Sequence, residues 1–143
     1  MNLNPDIWGP WYWGFLHTIA LSYPNNPNEV TKKKYYELIN NFMLFIPNIN
    51  VGNDFSKLLD LYPVSPYLDS KQHFIQWMHF IHNKINEKME KPKISINDFY
   101  INYYEHYKPK HVKTKDFYKW REKIIYVIFS ICLSCLIVYL HNK

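Results

Sequence analysis

Apolar positions recur three and four residues apart along most of the chain and nowhere keep the two-residue alternation of a half-buried strand. The spacing predicts a first helix from Pro10, a favoured first-turn residue, to about Ser22, with Trp13, Leu16, His17 and Ala20 on its inner face. Asn28 is placed to cap a second helix through about Phe45, with Tyr35, Leu38, Ile39, Phe42 and Phe45 as its apolar stripe before Pro47 ends it. A shorter helix over about Asn53 to Leu61 presents Phe55, Leu58 and Leu59. Ser70 opens a fourth, about Lys71 to Glu90, whose apolar face is Phe74, Trp77, Met78, Ile81, Ile85 and Met89, closed by Pro92. Ser95 and Asp98 have capping-box spacing and predict a fifth helix from about Ile96 to Tyr107. The expected fold class is all-α, with one small helical core.

The pattern changes at Lys108. The stretch KPKHVKTKDFYKWREK, residues 108–123, reads as a basic linker, and Ile124 to Leu140 follows as seventeen residues without a charge. A bilayer core asks for about 20 apolar residues and tolerates about 17, so this run predicts one transmembrane helix, with Trp120 and Tyr139 at its interfaces. A buried core helix is the alternative, disfavoured by the uniform apolarity and the abruptly basic flank. The expected organisation is a helical domain at 1–107, a linker at 108–123, a C-terminal tail anchor at 124–140 and a short terminus at 141–143. The domain would lie on the more basic, cytoplasm-like side. The opening residues MNLNPDIW have neither the basic nor the apolar region of a signal peptide.

Charge sharpens this division. The net +5 is uneven: residues 1–107 carry nine Lys against ten Asp and Glu, whereas residues 108–143 carry eight Lys and Arg against Asp116 and Glu122. Thirteen Tyr and five Trp invite comparison with a nucleic-acid stacking platform, but residues 1–107 lack the basic groove that such binding needs. The two cysteines, Cys132 and Cys135, both fall in the apolar run, so residues 1–107 can form neither a disulfide nor a Cys-based zinc site. Thiols held in hydrocarbon stay protonated, which argues against a redox role for this Cys-x-x-Cys. His79 and His82 are three apart, but no further ligand has metal-site spacing, and no metal is expected.

Candidate chemistry concentrates in two stretches, WGPWYWGFLH at 8–17 and WMHFIHNKINEKMEKP at 77–92. On helices, Trp13 and His17 share a face, as do His82 and Asn86. Two such faces, carrying indole, imidazole and amide groups, suit a flat and partly polar ligand. Plain core packing of the tryptophans and satisfied buried histidines are the competing readings.

Taken together and in order, these residues resemble the Erv/Alr family of FAD-linked sulfhydryl oxidases, over roughly residues 8–107. The matching positions are Gly9, Trp13, Leu16-His17 and Tyr23-Pro24, then Trp77, His82-Asn83-Lys84-Ile85-Asn86 and Lys91-Pro92. The resemblance implies a four- to five-helix bundle of the sulfhydryl oxidase type holding FAD, to which the C-terminal membrane helix is added. It places Gly9, Trp13, His17, Tyr23, Trp77, His82, Asn83 and Asn86 around the cofactor, with Lys88 or Lys91 neutralising its pyrophosphate. The AT-rich residue usage and the membrane tail are similar to members carried by large DNA viruses, which implies a host or virion membrane.

The chain also departs from the family. Its Pro-Cys-x-x-Cys is replaced by Pro47-Asn48-Ile49-Asn50-Val51, and the pair that joins the fourth helix to the fifth in many members corresponds to His79 and Ile96. The Arg that often follows the first Gly is Pro10. Neither Asn48 nor Val51 can act as a nucleophile, so no catalytic residue is assigned. Two functions follow from the resemblance. One is a membrane-anchored thiol oxidase homologue fed by thiols of a partner or client protein. The other is a non-catalytic, membrane-tethered binding or assembly subunit that forms homo- or heterodimers.

Overall fold

The computed structural model describes residues 3–142, Lys110 by its backbone only. All regular structure among them is helical, as expected: α1 Pro5–Ser22, α2 Glu29–Asn41, α3 Ile49–Leu61, α4 Lys71–Lys88, α5 Ile96–Glu105 and α6 Lys110–His141. The chain divides into two compact units, Met1–Ile101 and Asn102–Lys143.

In the first unit α1 packs chiefly on α4, and α3 also packs on α4. Leu16 and Ala20 of α1, Ile39 of α2, Phe55 of α3 and Phe74, Met78 and Ile81 of α4 are buried in the shared core. Each large apolar side chain removed from water this way contributes about 1.5–3 kcal/mol before the cost of ordering it.

Helix α1 starts five residues before the expected Pro10. The Asn4 side chain accepts from the Asp6 amide at 2.9 Å, Pro5 takes the first helical position and Asp6 adds first-turn negative charge. Pro10 lies inside the helix, where one proline forfeits one backbone bond. The helix stops at Tyr23, which is extended because Pro24 follows it.

Helix α2 ends at Asn41 and the chain continues as a 3-10 turn, Phe42–Phe45. Phe42 is buried, but Phe45, expected in the apolar stripe, is 65% exposed. Its carbonyl accepts from the Tyr12 hydroxyl at 2.8 Å, which turns the backbone rather than the ring toward α1.

Helix α3 begins at Ile49, four residues before the expected Asn53, because Asn48 caps it. Helix α4 ends at Lys88, and Glu90 adopts φ 56. The Lys91 amide donates to the Asn86 carbonyl at 2.8 Å and the Glu90 amide to the Glu87 carbonyl at 3.2 Å, the bond pattern of a Schellman cap.

In the second unit the segment expected as a linker is helical from Lys110 and runs without interruption into the apolar residues 124–140. The side chains of that run are exposed almost throughout. This helix has the length and composition to cross a membrane.

Candidate functional site

Packing of α1 on α4 brings Trp13 and His17 against His82. The Trp13 indole lies parallel to the His82 imidazole, with ring centroids 4.0 Å apart and planes at 16°. His17, one turn along α1, has its Nε2 2.9 Å from His82 Nδ1. Phe99 of α5 covers His17 at 4.4 Å between centroids, and its ring lies 6.0 Å from that of His79. The result is a three-histidine cluster enclosed by an indole and a phenyl ring.

Burial determines the charge of this cluster. His17 is pushed down to about 3 by burial, then by the neighbouring His82 and His79. His82 falls to about 4 by burial, then by His79 and the Lys91 ammonium. Both imidazoles are therefore neutral at pH 7, and one donates a hydrogen to the other.

His17 Nδ1 is buried and has no hydrogen-bond partner among the described residues. If His17 donates from Nε2, its Nδ1 is an unfilled acceptor; if His82 donates, Nδ1 carries a hydrogen with nowhere to go. Either state costs about 1–3 kcal/mol, which a ligand atom bonded to Nδ1 would recover. Trp13 beside it is only half-buried, so the cluster has an aromatic face at the surface. An orphaned polar atom next to an accessible indole fits a flat ligand with a polar edge.

The remaining residues of the sequence-based set divide between this cluster and other places. Asn86 is buried on the same side of α4 as His82, and its backbone carbonyl holds the Lys91 amide. Lys91, half-buried, reaches Asp6 at the start of α1, and Lys88 pairs with Asp54 of α3 at 3.2 Å. Gly9 lies on α1 with open space beside its Cα.

Three others are engaged elsewhere in the scaffold. The Tyr23 hydroxyl donates to the Leu68 carbonyl at 2.7 Å, and the Trp77 indole donates to the Tyr62 carbonyl at 3.0 Å. Asn83 spends its amide on one backbone group pair: Ile94 N–H donates to Oδ1 at 2.8 Å, and Nδ2 donates to the Ile94 carbonyl at 2.9 Å.

Asn48 is 9% exposed, and its side-chain oxygen accepts from the amides of Asn50 and Val51 at 3.0 and 3.2 Å. The position where the resemblance calls for a reactive cysteine is thus a helix cap. His79 Nε2 donates to the Ile94 carbonyl at 2.8 Å and ties α4 to the irregular segment before α5. Phe99 and the tethering role of His79 were not singled out by sequence reasoning. The Ser95–Asp98 spacing, which sets the start of α5 and so the inward face of Phe99, was the available signal; the Ser95 hydroxyl accepts from the Asp98 amide at 3.0 Å.

Comparison with known proteins gives a consistent result. The Erv1 / Alr family model matches residues 11–108. The chain is 33% identical over 85 residues to a protein of Acanthamoeba polyphaga mimivirus described as a probable FAD-linked sulfhydryl oxidase, covering 59% of each chain. It is equally identical over 85 residues to the mitochondrial FAD-linked sulfhydryl oxidase ERV1 of Saccharomyces cerevisiae, covering 59% of this chain and 44% of that one. The match thus spans about half the length of these two relatives. The FAD-linked sulfhydryl oxidase of African swine fever virus (isolate Pig/Kenya) is 30% identical over 98 residues, 68% of this chain and 80% of the viral one. Among solved structures, the FAD binding domain of Erv1 from Saccharomyces cerevisiae superposes with a TM-score of 0.62 at 30% identity, covering 67% of this chain and 90% of that one.

Proposed function

The chain belongs to the Erv1 / Alr family, and from that premise we propose that it is a membrane-anchored FAD-binding protein of the sulfhydryl oxidase type. The observation that carries the proposal is the unpartnered His17 Nδ1 beside the half-buried Trp13 and the neutral His82. In this reading Trp13, His17 and His82 hold the ring systems of FAD, Asn86 offers an amide, and Lys91 and Lys88 supply positive charge for the pyrophosphate. Gly9, Tyr23, Trp77 and Asn83 shape the scaffold around them.

Bound FAD supplies the redox chemistry: a dithiol gives up two electrons and two protons to become a disulfide, and oxygen takes them up as hydrogen peroxide. The chain's own residues orient and shield. The neutral imidazoles add no positive charge beside the ring, and Phe99 keeps water from His17.

The thiols come from another protein or from the client itself, because residues 1–101 contain no cysteine. The same fact, with Asn48 acting as a helix cap, favours a second reading: a cofactor-bound but non-catalytic assembly subunit. Trp11 and Phe15, exposed one turn apart on α1, suit pairing with a second copy or with an active relative. Helix α6 anchors the protein in a host or virion membrane, with the first unit on the cytoplasm-like side.

The visible spectrum of the purified full chain in detergent tests the shared premise. A flavin band that co-purifies supports it, and a colourless folded protein that does not take up added FAD rejects it. Oxygen consumption with dithiothreitol then separates the two readings. A double substitution, Asn48→Cys with Val51→Cys, is expected to give a thiol oxidase from a slow or inactive parent. Failure despite bound flavin would reject the placement of the family's redox pair at these positions.

A further inference from the structure

The cationic stretch of α6 is part of the same unbroken helix as its apolar run, and that continuity fixes how far each cation stands from the hydrocarbon. At 1.5 Å rise per residue, Lys123, Arg121 and Lys119 sit roughly 1.5, 4.5 and 7.5 Å before Ile124. All three lie within one Debye length, about 8 Å at physiological salt. Lys115 and Lys113, at roughly 13–17 Å, lie beyond it.

Lys119 and Lys123 are four residues apart and share one side of the helix, while Arg121 stands on the other. All three are exposed, and among the described residues no ion pair holds them, whereas Lys108 is paired with Glu105. Glu122 is the one acidic residue in this turn and a half, which leaves the ring of charge net positive. Trp120, Tyr118 and Phe117 are exposed among the cations, and the Arg121 guanidinium lies 5.2 Å from the Tyr118 ring centre. Aromatic rings of this kind settle at the headgroup level.

Seventeen apolar residues span roughly 26 Å, a few ångströms short of a typical hydrocarbon core of about 30 Å. A short span draws its flanking residues down to the boundary, where Lys and Arg extend their charges outward to the nearest phosphates.

We infer that Lys119, Arg121 and Lys123 form a collar that binds the headgroups of anionic phospholipids and selects a leaflet rich in them. The inference rests on α6 spanning a membrane. An anionic lipid is the occupant that fits, because the same helix turn presents the cations, the interfacial aromatic rings and the start of the apolar span.

The test uses the full chain reconstituted into phosphatidylcholine vesicles, with trace spin-labelled phosphatidylserine or phosphatidylcholine as probes. The expected result is a severalfold preference for labelled phosphatidylserine in the motionally restricted lipid shell. It should fall toward equality in about 0.5 M NaCl, where the Debye length shrinks to a few ångströms. It should also fall in the exposed-site variant Lys119→Gln/Arg121→Gln/Lys123→Gln, and return with Lys119→Arg/Lys123→Arg. Equal partition of the two labels, or a preference unchanged in the triple variant, would overturn the collar while leaving the span intact. Alkaline carbonate extraction reads the span separately: release of the protein with no restricted lipid shell overturns the membrane reading and the collar with it.

Discussion

The Trp13 indole lies face to face with the His82 imidazole, 4.0 Å between ring centres, although the two residues are on different helices. The stack joins α1 to α4 at the point where His17 meets His82. A ring stacked in this way contributes about 0.5–1.5 kcal/mol beyond its buried area. In the proposed site Trp13 also offers an aromatic surface to the cofactor, and a stacking contact of the same size makes Trp13→Ala expected to weaken FAD binding by roughly 2- to 10-fold, with Trp13→Phe in between. Titration of added FAD against the flavin-free protein, followed by flavin fluorescence, checks this; unchanged affinity in both variants would remove Trp13 from the site.

Asn83 predicts a stability effect without a direct effect on the cofactor. Its amide satisfies both the N–H and the carbonyl of Ile94, and His79 adds a third bond to the same carbonyl. These bonds stand near the position where the family resemblance places a disulfide between α4 and α5. Asn83→Ala leaves two part-buried backbone groups without that partner and should cost about 2 kcal/mol. His79→Ala should cost less, about 1 kcal/mol, because the Ile94 carbonyl keeps its bond to Asn83. Denaturant melts followed by circular dichroism measure both, and equal losses would mean that the two bonds are not shared as described. Because the tether contains no sulfur, neither value should change with added reductant.

How far the sequence foretold these relationships depends on their range. Helical periodicity identified α1 to α4, since burial of one face at 3.6-residue spacing leaves a local record, and the Ser95–Asp98 capping-box spacing identified α5. The pairing of α1 with α4 through Trp13, His17 and His82 was legible through the two stretches and the family they resemble. The ends of the helices were less so: the cap that starts α1 is Asn4, not the turn at Pro10, and α3 starts behind its Asn48 cap rather than near Asn53. Asn83 read as a ligand because its amide suits one, yet its partner Ile94 lies eleven residues away across an irregular turn. No periodic signal encodes such a contact. Nor did the basic residues after Lys108 declare a helix, because charges all round a helix leave no amphipathic stripe.

Glu90 gives a prediction that concerns backbone strain alone. It occupies the left-handed region, φ 56, at the position of the Schellman cap that glycine favours. A side chain there costs about 1–2 kcal/mol relative to glycine, of which glycine's greater freedom in the unfolded chain returns part. Glu90→Gly should thus raise stability by about 0.5–1 kcal/mol and leave FAD binding unchanged. A loss of stability in denaturant melts would show that the Glu90 carboxylate makes a compensating interaction.

The neutral histidine pair makes stability depend on pH with a defined sign. In the unfolded chain His17 and His82 take up protons as pH falls through their ordinary value of 6.5, whereas in the fold burial holds them down to about 3 and about 4. The unfolded state then binds more protons, so stability is complete above pH 6.5 and is lost as pH falls toward 4. Beyond burial, His82 and His79 act on His17, and His79 and the Lys91 ammonium act on His82, in the same downward direction. The slope should approach about 1.4 kcal/mol per pH unit for each imidazole. The interval from pH 6.5 to 5 lies above the ordinary values of 3.8 and 4.5 at which Asp69, Glu87 and Glu105, held lower in the fold by their lysine partners, begin to lose their own contribution. Urea midpoints measured across that interval should fall with acidification in the parent protein and fall less steeply in His82→Gln. A flat profile in the parent would mean that the pair is hydrated or already paired with an acid, contrary to the enclosed arrangement of Trp13, Phe99 and the two rings.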